Sequence, residues 1–227
     1  MKISFCVICW RNDVKLLPKR ISDIYGQTVQ PDEILIVASG VPDDVVQSDN
    51  PDIKIYPFRD RMLPGAARNK GGELATGDVI VFCDVDDPIS PQKCEIIKEI
   101  FTTNTEVDAL VHSYSFMKGY ETPVWSTIDM ENIEVEKVTE KSPPRTPAVH
   151  PHKVDVLPNT NVLAPSGGRV HHGHISCKRE IFNELQYYEW MSLGEDGTFC
   201  RSILDSPNYD LYYTPLVLIK YTIDQHR

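Results

Sequence analysis

Residues 65–87 read GAARNKGGELATGDVIVFCDVDD. Ala66, Ala67, Lys70, Leu74 and Ala75 recur at roughly helical spacing, which predicts a helix over about 65–76. Pro64 suits its first turn and Gly77 its C-terminal cap. Val79 to Cys83, VIVFC, is a short apolar run of the kind that forms a strand buried on both faces. The run ends in Asp84, Val85, Asp86 and Asp87. Side chains two apart in an extended segment point the same way, so Asp84 and Asp86 are expected on one side and Asp87 on the other. Two carboxylates at the end of a buried strand repel each other and are costly to desolvate. A divalent cation removes both problems, and hard oxygen ligands select magnesium or manganese. A solvated acidic turn would give the same letters, since Asp87–Pro88 is a common turn initiator.

With ARNKGGELATGDVIVF in front of it, the acidic run resembles the core of the family 2 glycosyltransferases. In that family an ARN-G…A-G helix leads into a strand ending in Asp-x-Asp, which holds the metal and diphosphate of a sugar nucleotide. The likeness covers about twenty consecutive positions. It implies a GT-A-like α/β domain, Asp84 and Asp86 as ligands of Mn2+ or Mg2+, and Arg68 either contacting the nucleotide or orienting Asp84.

Bulk properties are compatible with this. A chain of 227 residues can bury a proper core as one domain. The formal net charge of −10 argues against nucleic acid and anionic membrane surfaces as partners. It leaves room for a phosphorylated substrate, because a bound cation supplies local positive charge. No apolar run approaches the ~20 residues of a membrane helix, and the start, MKISFCVICWRND, lacks the pattern of a signal peptide. Cys6-x-x-Cys9 has no second pair at zinc spacing. The six cysteines therefore read as free, mostly buried thiols of a soluble, cytoplasmic protein.

Working outward, Ile3 to Cys9 reads as a first buried strand. A helix is expected over about 13–27, N-capped by Asp13, with Leu16, Leu17, Ile21 and Ile24 on one side. Ile34 to Ala38 and Ile53 to Tyr56 are further strands. Strands alternating with helices predict a mostly parallel sheet flanked by helices, with ligands outside the carboxyl ends of the strands. Trp10, Ser39 and Asp84 all follow strand ends and should line one crevice. The family resemblance extends over this half, and Cys9, Trp10, Arg11, Ser39, Arg68, Asn69 and Asp84, with His172 further on, are its expected sugar-nucleotide contacts. One departure stands out. Where many family members carry an acidic pair that reads the base, this chain has Ala38, Ser39 and Gly40, and acids appear only at Asp43 and Asp44. Uridine is thus a default.

A helix from Pro91 to about Asn104 and a strand from Val107 to Tyr114 follow. Residues of about 121–162 are proline-rich and charged, which forbids a long helix. Ile133 to Val138 is a candidate edge strand, and the remainder a long loop expected over the acceptor side of the crevice. The chain so divides into a sugar-nucleotide half (1–115), an insertion (116–166) and an acceptor-side half (167–227) of a single domain.

In the last part His171, His172 and His174 cluster. Zinc binding lacks further ligands at matching spacing; a hydrogen bond to a diphosphate or acceptor hydroxyl and a structural role both remain open. Ile175 to Phe182 reads as a strand running into a helix. Gly194, Glu195 and Asp196 open another helix, with Phe199, Cys200, Ile203 and Leu204 on its apolar side. An acidic pair there also suits the helix dipole. GED-x-x-x-C-R resembles the family's gED-x-x-x-x-R motif, which implies that Asp196 deprotonates the acceptor, with Glu195 beside it as second catalytic candidate. Tyr187, Tyr188 and Trp190 are placed to stack on a sugar ring or to pack in the core. Tyr212 to Lys220 contains a final strand, and His226 matches a histidine that completes the metal shell in the family.

The resemblance implies an inverting transfer of a sugar from a nucleotide-diphosphate donor to a glycan or other hydroxyl acceptor. Two other classes are weighed against it. A nucleotidylyltransferase would carry a Gly-x-Gly-Thr-Arg loop where this chain has CWRND, and a non-catalytic relative would bind a glycan or protein without turnover.

Overall fold

The structure, a computed structural model, describes residues 1–42, 48, 50–118, 122–139, 170 and 172–223. Its centre is built from the continuous apolar runs, now β1 (Ile3–Trp10), β2 (Glu33–Ser39) and, after an edge strand β3 (Ile53–Phe58) that exposes Lys54, β4 (Val79–Asp84). The period of two sorts each run between two cores. Ile3, Phe5, Val7 and Cys9 face one core with Ile34, Ile36, Val79 and Val81. Cys6, Leu35, Val37, Ile80 and Phe82 face the other. A strand buried on both faces cannot alternate with polar residues, which is why these segments read as unbroken apolar runs.

Helices α1 (Leu17–Tyr25) and α3 (Lys93–Thr103) contribute Leu17, Ile24, Ile96, Ile97 and Ile100 to the first core. Helices α2 (Pro64–Leu74) and α4 (Glu195–Asp205) contribute Ala67, Phe199, Cys200 and Ile203 to the second. The remaining strands are β5 (Ala109–Lys118), β6 (Glu136–Lys137), β7 (Ser176–Lys178) and β8 (Leu211–Ile223). The sheet order is β3-β2-β1-β4-β7-β5-β8-β6. Among the described residues, β7 and β6 run against the other six strands. The sheet is thus mixed but mostly parallel, and residues after 167 are woven into its middle.

Several local expectations need correction. The first helix does not start at Asp13. Arg11–Leu16 is a 3-10 turn, and α1 begins at Leu17 with Pro18 in its first turn, where a missing N–H costs nothing. Gly77 does not cap α2, which ends at Leu74 with Ala75 in extended geometry. Gly77 instead lies against β1: its N–H donates to Ser4 Oγ at 2.8 Å, and a Cβ there would sit 2.7 Å from the Ser4 nitrogen. After β7 the chain makes a 3-10 turn, Arg179–Asn183, in place of a helix. The edge strand expected at 133–138 is present as β6, paired with β8. Most of the proline-rich segment lies outside the described residues. All six cysteines are free and buried. No helix among the described residues is long and apolar enough to cross a membrane.

Candidate active site

β1 lies between β2 and β4, so the strand order reverses there and the carboxyl ends of β1 and β4 open a crevice. Its volume is about 420 Å³, and its walls include Trp10, Arg68, Asp84, Asp86, Asp87, Glu195, Asp196 and Tyr221. A smaller hollow of about 120 Å³ adjoins it through Ile8, Trp10 and Pro64, lined further by Cys9, Ser39, Arg61 and Met62. A larger groove, about 570 Å³, lies around Glu33 and Lys54 at the opposite ends of the strands. The chemistry of the side chains, not size, singles out the crevice.

The acidic run departs from strand geometry immediately after Asp84. The Asp87 N–H donates to the Asp84 carbonyl at 3.3 Å, closing a turn. The alternation expected for Asp84, Asp86 and Asp87 is therefore wrong, because a turn brings residues three apart together. Asp87 Oδ2 lies 3.2 Å and Asp84 Oδ2 3.9 Å from His174 Nε2, and the three residues offer ligand atoms all within 4.8 Å of one another. Two carboxylates and an imidazole nitrogen form a hard, mixed donor set that fits a divalent cation. Asp86 also lines the crevice. The end of β8 braces the turn: Thr222 Oγ1 donates to the Asp86 carbonyl at 3.1 Å and the Thr222 N–H to Asp87 Oδ1 at 3.2 Å.

Three buried cations stand behind this turn, each from a different helix. Arg68 of α2 holds Asp84 Oδ1 at 2.8 Å. Arg20 of α1 donates to the Val85 carbonyl through Nε and Nη2, both at 3.3 Å, and pairs with Asp23. Lys93, at the start of α3, places Nζ 3.2 Å from His174 Nδ1. Burial still governs the site. It pushes the Asp84 carboxyl up to about 6 against the pull of Arg68, and the Asp87 carboxyl up to about 8, with Asp86 and Asp84 adding to the rise. Burial also brings the Lys93 ammonium down to about 8. A bound cation would relieve the carboxylates of this strain.

The start of α4 forms another part of the wall. Gly194 takes φ +79°, a left-handed conformation in which a β-carbon is penalised, and turns the chain into the helix. Thr198 Oγ1 donates to the Gly194 carbonyl at 2.9 Å, and the Gly197 N–H to Asp196 Oδ1 at 2.7 Å. Glu195 and Asp196 then diverge. Glu195 is buried and ion-pairs with Arg68 Nη1 at 2.8 Å; Asp196 is half-buried.

The expected nucleotide contacts separate in the same way. Trp10 is 39% exposed, with the Arg61 guanidinium 4.8 Å above its ring. Cys9 lines the hollow, its thiol donating to the Trp10 carbonyl at 3.4 Å, and Arg11 is exposed nearby. Ser39 also lines the hollow, but its hydroxyl accepts from the Met62 N–H at 2.6 Å and donates to the Met62 carbonyl at 3.2 Å. It is engaged in holding the chain. Asn69 is not brought to the crevice. It is buried, accepts from the Tyr187 N–H and donates to the Tyr187 carbonyl and Glu189. Tyr187 belongs to the core, stacked on Phe199 with centroids 4.0 Å apart, whereas Tyr188 and Trp190 are exposed. The His172 side chain, His171, His226, Asp43 and Asp44 lie outside the described residues.

Sequence reasoning named His174 only as part of a cluster in which it favoured His172, and it missed Lys93 and Arg20. Arg20 left a signal: it falls between Leu17 and Ile24 on the buried face of α1, where a charge is out of place. Lys93 left a similar one on the apolar face of α3.

Comparison with known proteins decides the family. Residues 4–171 match the model of glycosyl transferase family 2. The chain belongs to that family. An uncharacterized glycosyltransferase of Nostoc sp. is 35% identical over 147 residues, 62% of this family 2 chain and 44% of the relative. A UDP-Gal:alpha-D-GlcNAc-diphosphoundecaprenol beta-1,3-galactosyltransferase of Escherichia coli is 27% identical over 166 residues, 69% of this chain and 60% of the relative. The chain spans about half the length of the first curated relatives it matches. Crystal structures of S. aureus TarS residues 1–349 share the GT-A fold. One matches with TM-score 0.65 and 17% identity over 98% of this chain and 60% of TarS. A second, in complex with UDP-GlcNAc, matches with TM-score 0.64 and 14% identity over 100% and 60%.

Proposed function

We propose that this family 2 chain transfers a sugar, with inversion, from a nucleotide-diphosphate donor to a hydroxyl acceptor, with UDP as the default nucleotide. The observation that carries the proposal is that the acidic turn and Asp196 line one crevice. The bound UDP-GlcNAc of the TarS structure and the UDP-Gal donor named for the E. coli relative support the choice of nucleotide.

Asp84, Asp87 and His174, with Asp86 at the crevice wall, would hold a divalent cation, Mn2+ or Mg2+. When bound, the ion supplies positive charge to the diphosphate as negative charge develops there. The hollow beside Trp10 and Arg61 receives the base, offering an aromatic face and a guanidinium. At the start of α4, Asp196 takes the proton of the acceptor hydroxyl while that oxygen attacks the anomeric carbon and the bond to the diphosphate breaks. Exposed Tyr188 and Trp190, just ahead of α4, offer flat apolar faces to a sugar-bearing acceptor. On this view 1–115 supply most of the donor site, and 167–227 supply Asp196 to the acceptor as well as His174 to the cation.

The test is turnover of a panel of nucleotide sugars with Mn2+ present, in water and with saccharide acceptors. Release of free nucleotide that depends on Asp196 and the acidic turn supports the proposal. Saturable UDP binding with no release under any condition would establish a non-catalytic binder instead.

A further inference from the structure

We infer that Glu195 is a positioning residue that sets the cation affinity of Asp84 through Arg68. The inference rests on Asp84 being a cation ligand, as proposed above, and concerns what lies behind that ligand.

Arg68 is 3% exposed and spends one guanidinium nitrogen on each of two carboxylates, Nη2 on Asp84 Oδ1 and Nη1 on Glu195 Oε1, both at 2.8 Å. The bridge uses Oδ1 of Asp84 and leaves Oδ2 as the oxygen nearer His174. Neither end of the bridge is at liberty to drift. Asn69, next along α2, holds the Tyr187 backbone through both its N–H and its carbonyl. A Cβ on Gly65 would already lie 3.1 Å from Tyr187 Cβ and 3.4 Å from Glu195 Cγ, so α2 is packed directly against the segment that leads into α4.

A buried guanidinium shared between two carboxylates is a divided charge. With both acids ionised the trio sums to −1, and an incoming cation meets an attractive site. Remove the charge of Glu195 and the trio sums to zero, with all of Arg68 turned on Asp84. Both changes weaken the hold of Asp84 on a cation, and at low effective dielectric they are poorly screened. Glu195 therefore acts on the ion from behind Arg68, without lining its coordination shell. This explains why an acidic pair at the start of α4 has one member half-exposed at the crevice and the other spent on a buried ion pair.

The test measures Mn2+ affinity, by electron paramagnetic resonance with UDP present, and thermal stability of the same preparations. Glu195→Gln keeps the shape and an oxygen that accepts from Arg68, so the helix start survives. Mn2+ affinity is expected to fall about 2- to 150-fold, the range of coupling between members of one ion-pair network. Glu195→Asp, which keeps the charge, should lie between Gln and wild type. Placed on an Arg68→Gln background, Glu195→Gln should change Mn2+ affinity far less, because the relay is gone. Should Arg68→Gln not fold, Arg68→Lys, which keeps the charge but cannot bridge two carboxylates with a planar fork, takes its place in the cycle. Unchanged Mn2+ affinity in Glu195→Gln overturns the inference, and if transfer still collapses there, Glu195 belongs to the chemistry itself. An equal effect with and without Arg68 also overturns it, since that is a direct field on the ion. A wild-type protein that binds UDP but no Mn2+ overturns both this inference and the cation role of Asp84.

Discussion

Asp87 Oδ2 and His174 Nε2 meet at 3.2 Å, bringing a turn after β4 onto a residue 87 positions further along the chain. If these two and Asp84 share a cation, their order of importance is set by the turn. Chelator should abolish UDP binding and Mn2+ should restore it. Asp87→Asn and His174→Gln should each weaken Mn2+ binding at least about tenfold, as loss of a metal-shell partner commonly does. Asp86→Ala should weaken it as well. Calorimetric titration of Mn2+ into the three variants gives the ranking. UDP affinity indifferent to chelator would remove the cation from the site.

Asp196 and Glu195 are adjacent in sequence but differ in what surrounds them, and the prediction for Asp196 follows from that. Asp196→Asn retains size and the oxygen that accepts from the Gly197 N–H. Folding and UDP-sugar affinity should stay within a few-fold of wild type. Transfer should fall by about 10²–10⁴, the usual worth of a general base. Steady-state transfer and donor binding measured on one preparation check this. Transfer within a few-fold of wild type would exclude Asp196 from the chemistry.

Trp190 is 57% exposed on a segment fixed by the Asn69 clamp and the stacking of Tyr187 on Phe199. Trp190→Ala should raise the KM for a saccharide acceptor about 2- to 12-fold, the equivalent of ~0.5–1.5 kcal/mol for one aromatic contact. Trp190→Phe should recover most of that, and donor hydrolysis without acceptor should not change. An acceptor KM unaffected by the alanine would show that the ring serves something else.

Glu33 offers a test of stability away from the crevice. Burial alone would raise its carboxyl, but hydrogen bonds from Lys54 Nζ, Ser4 Oγ and the Thr76 N–H together outweigh this and hold it at about 2. Because the folded value is depressed, its contribution is complete above the unfolded value of about 4.3 and is lost as pH falls toward 2. The contribution is at most about 3 kcal/mol. Glu33→Gln should flatten the fall in urea-unfolding stability between pH 4.5 and 2. An unchanged slope would assign the acid sensitivity to other carboxylates.

The fold was legible because buried parallel strands leave an unmistakable trace. ISFCVIC, ILIVA and VIVFC have no polar side to expose, and each became a central strand. The site was legible only where chemistry and chain order coincide, as in Asp84, Arg68 and the Glu195–Asp196 pair. Period-two reasoning failed at Asp86 and Asp87 because a backbone hydrogen bond ends the strand at Asp84, a turn of which Asp87–Pro88 gave the only hint. Ser39 lines the hollow but is spent on the Met62 backbone, and Asn69 is held away from the crevice by the Tyr187 backbone. Lys93 shows as a charge on the apolar face of α3, but its partner, His174, is brought to it only by β7 joining the sheet.

That placement of β7 bears on how the polypeptide emerges from the ribosome. β7 lies between β4 and β5, so no contact within the first 118 residues can join those two strands edge to edge. The β3-β2-β1-β4 unit can assemble during synthesis, but the β4 side of it, VIVFC, stays an unpaired apolar border until residues 176–178 are made. Borders of this kind template non-native pairing between nascent chains. Release of the chain before β7 is made would leave a half-sheet needing a chaperone, with the acidic turn built but without the α4 part of its crevice.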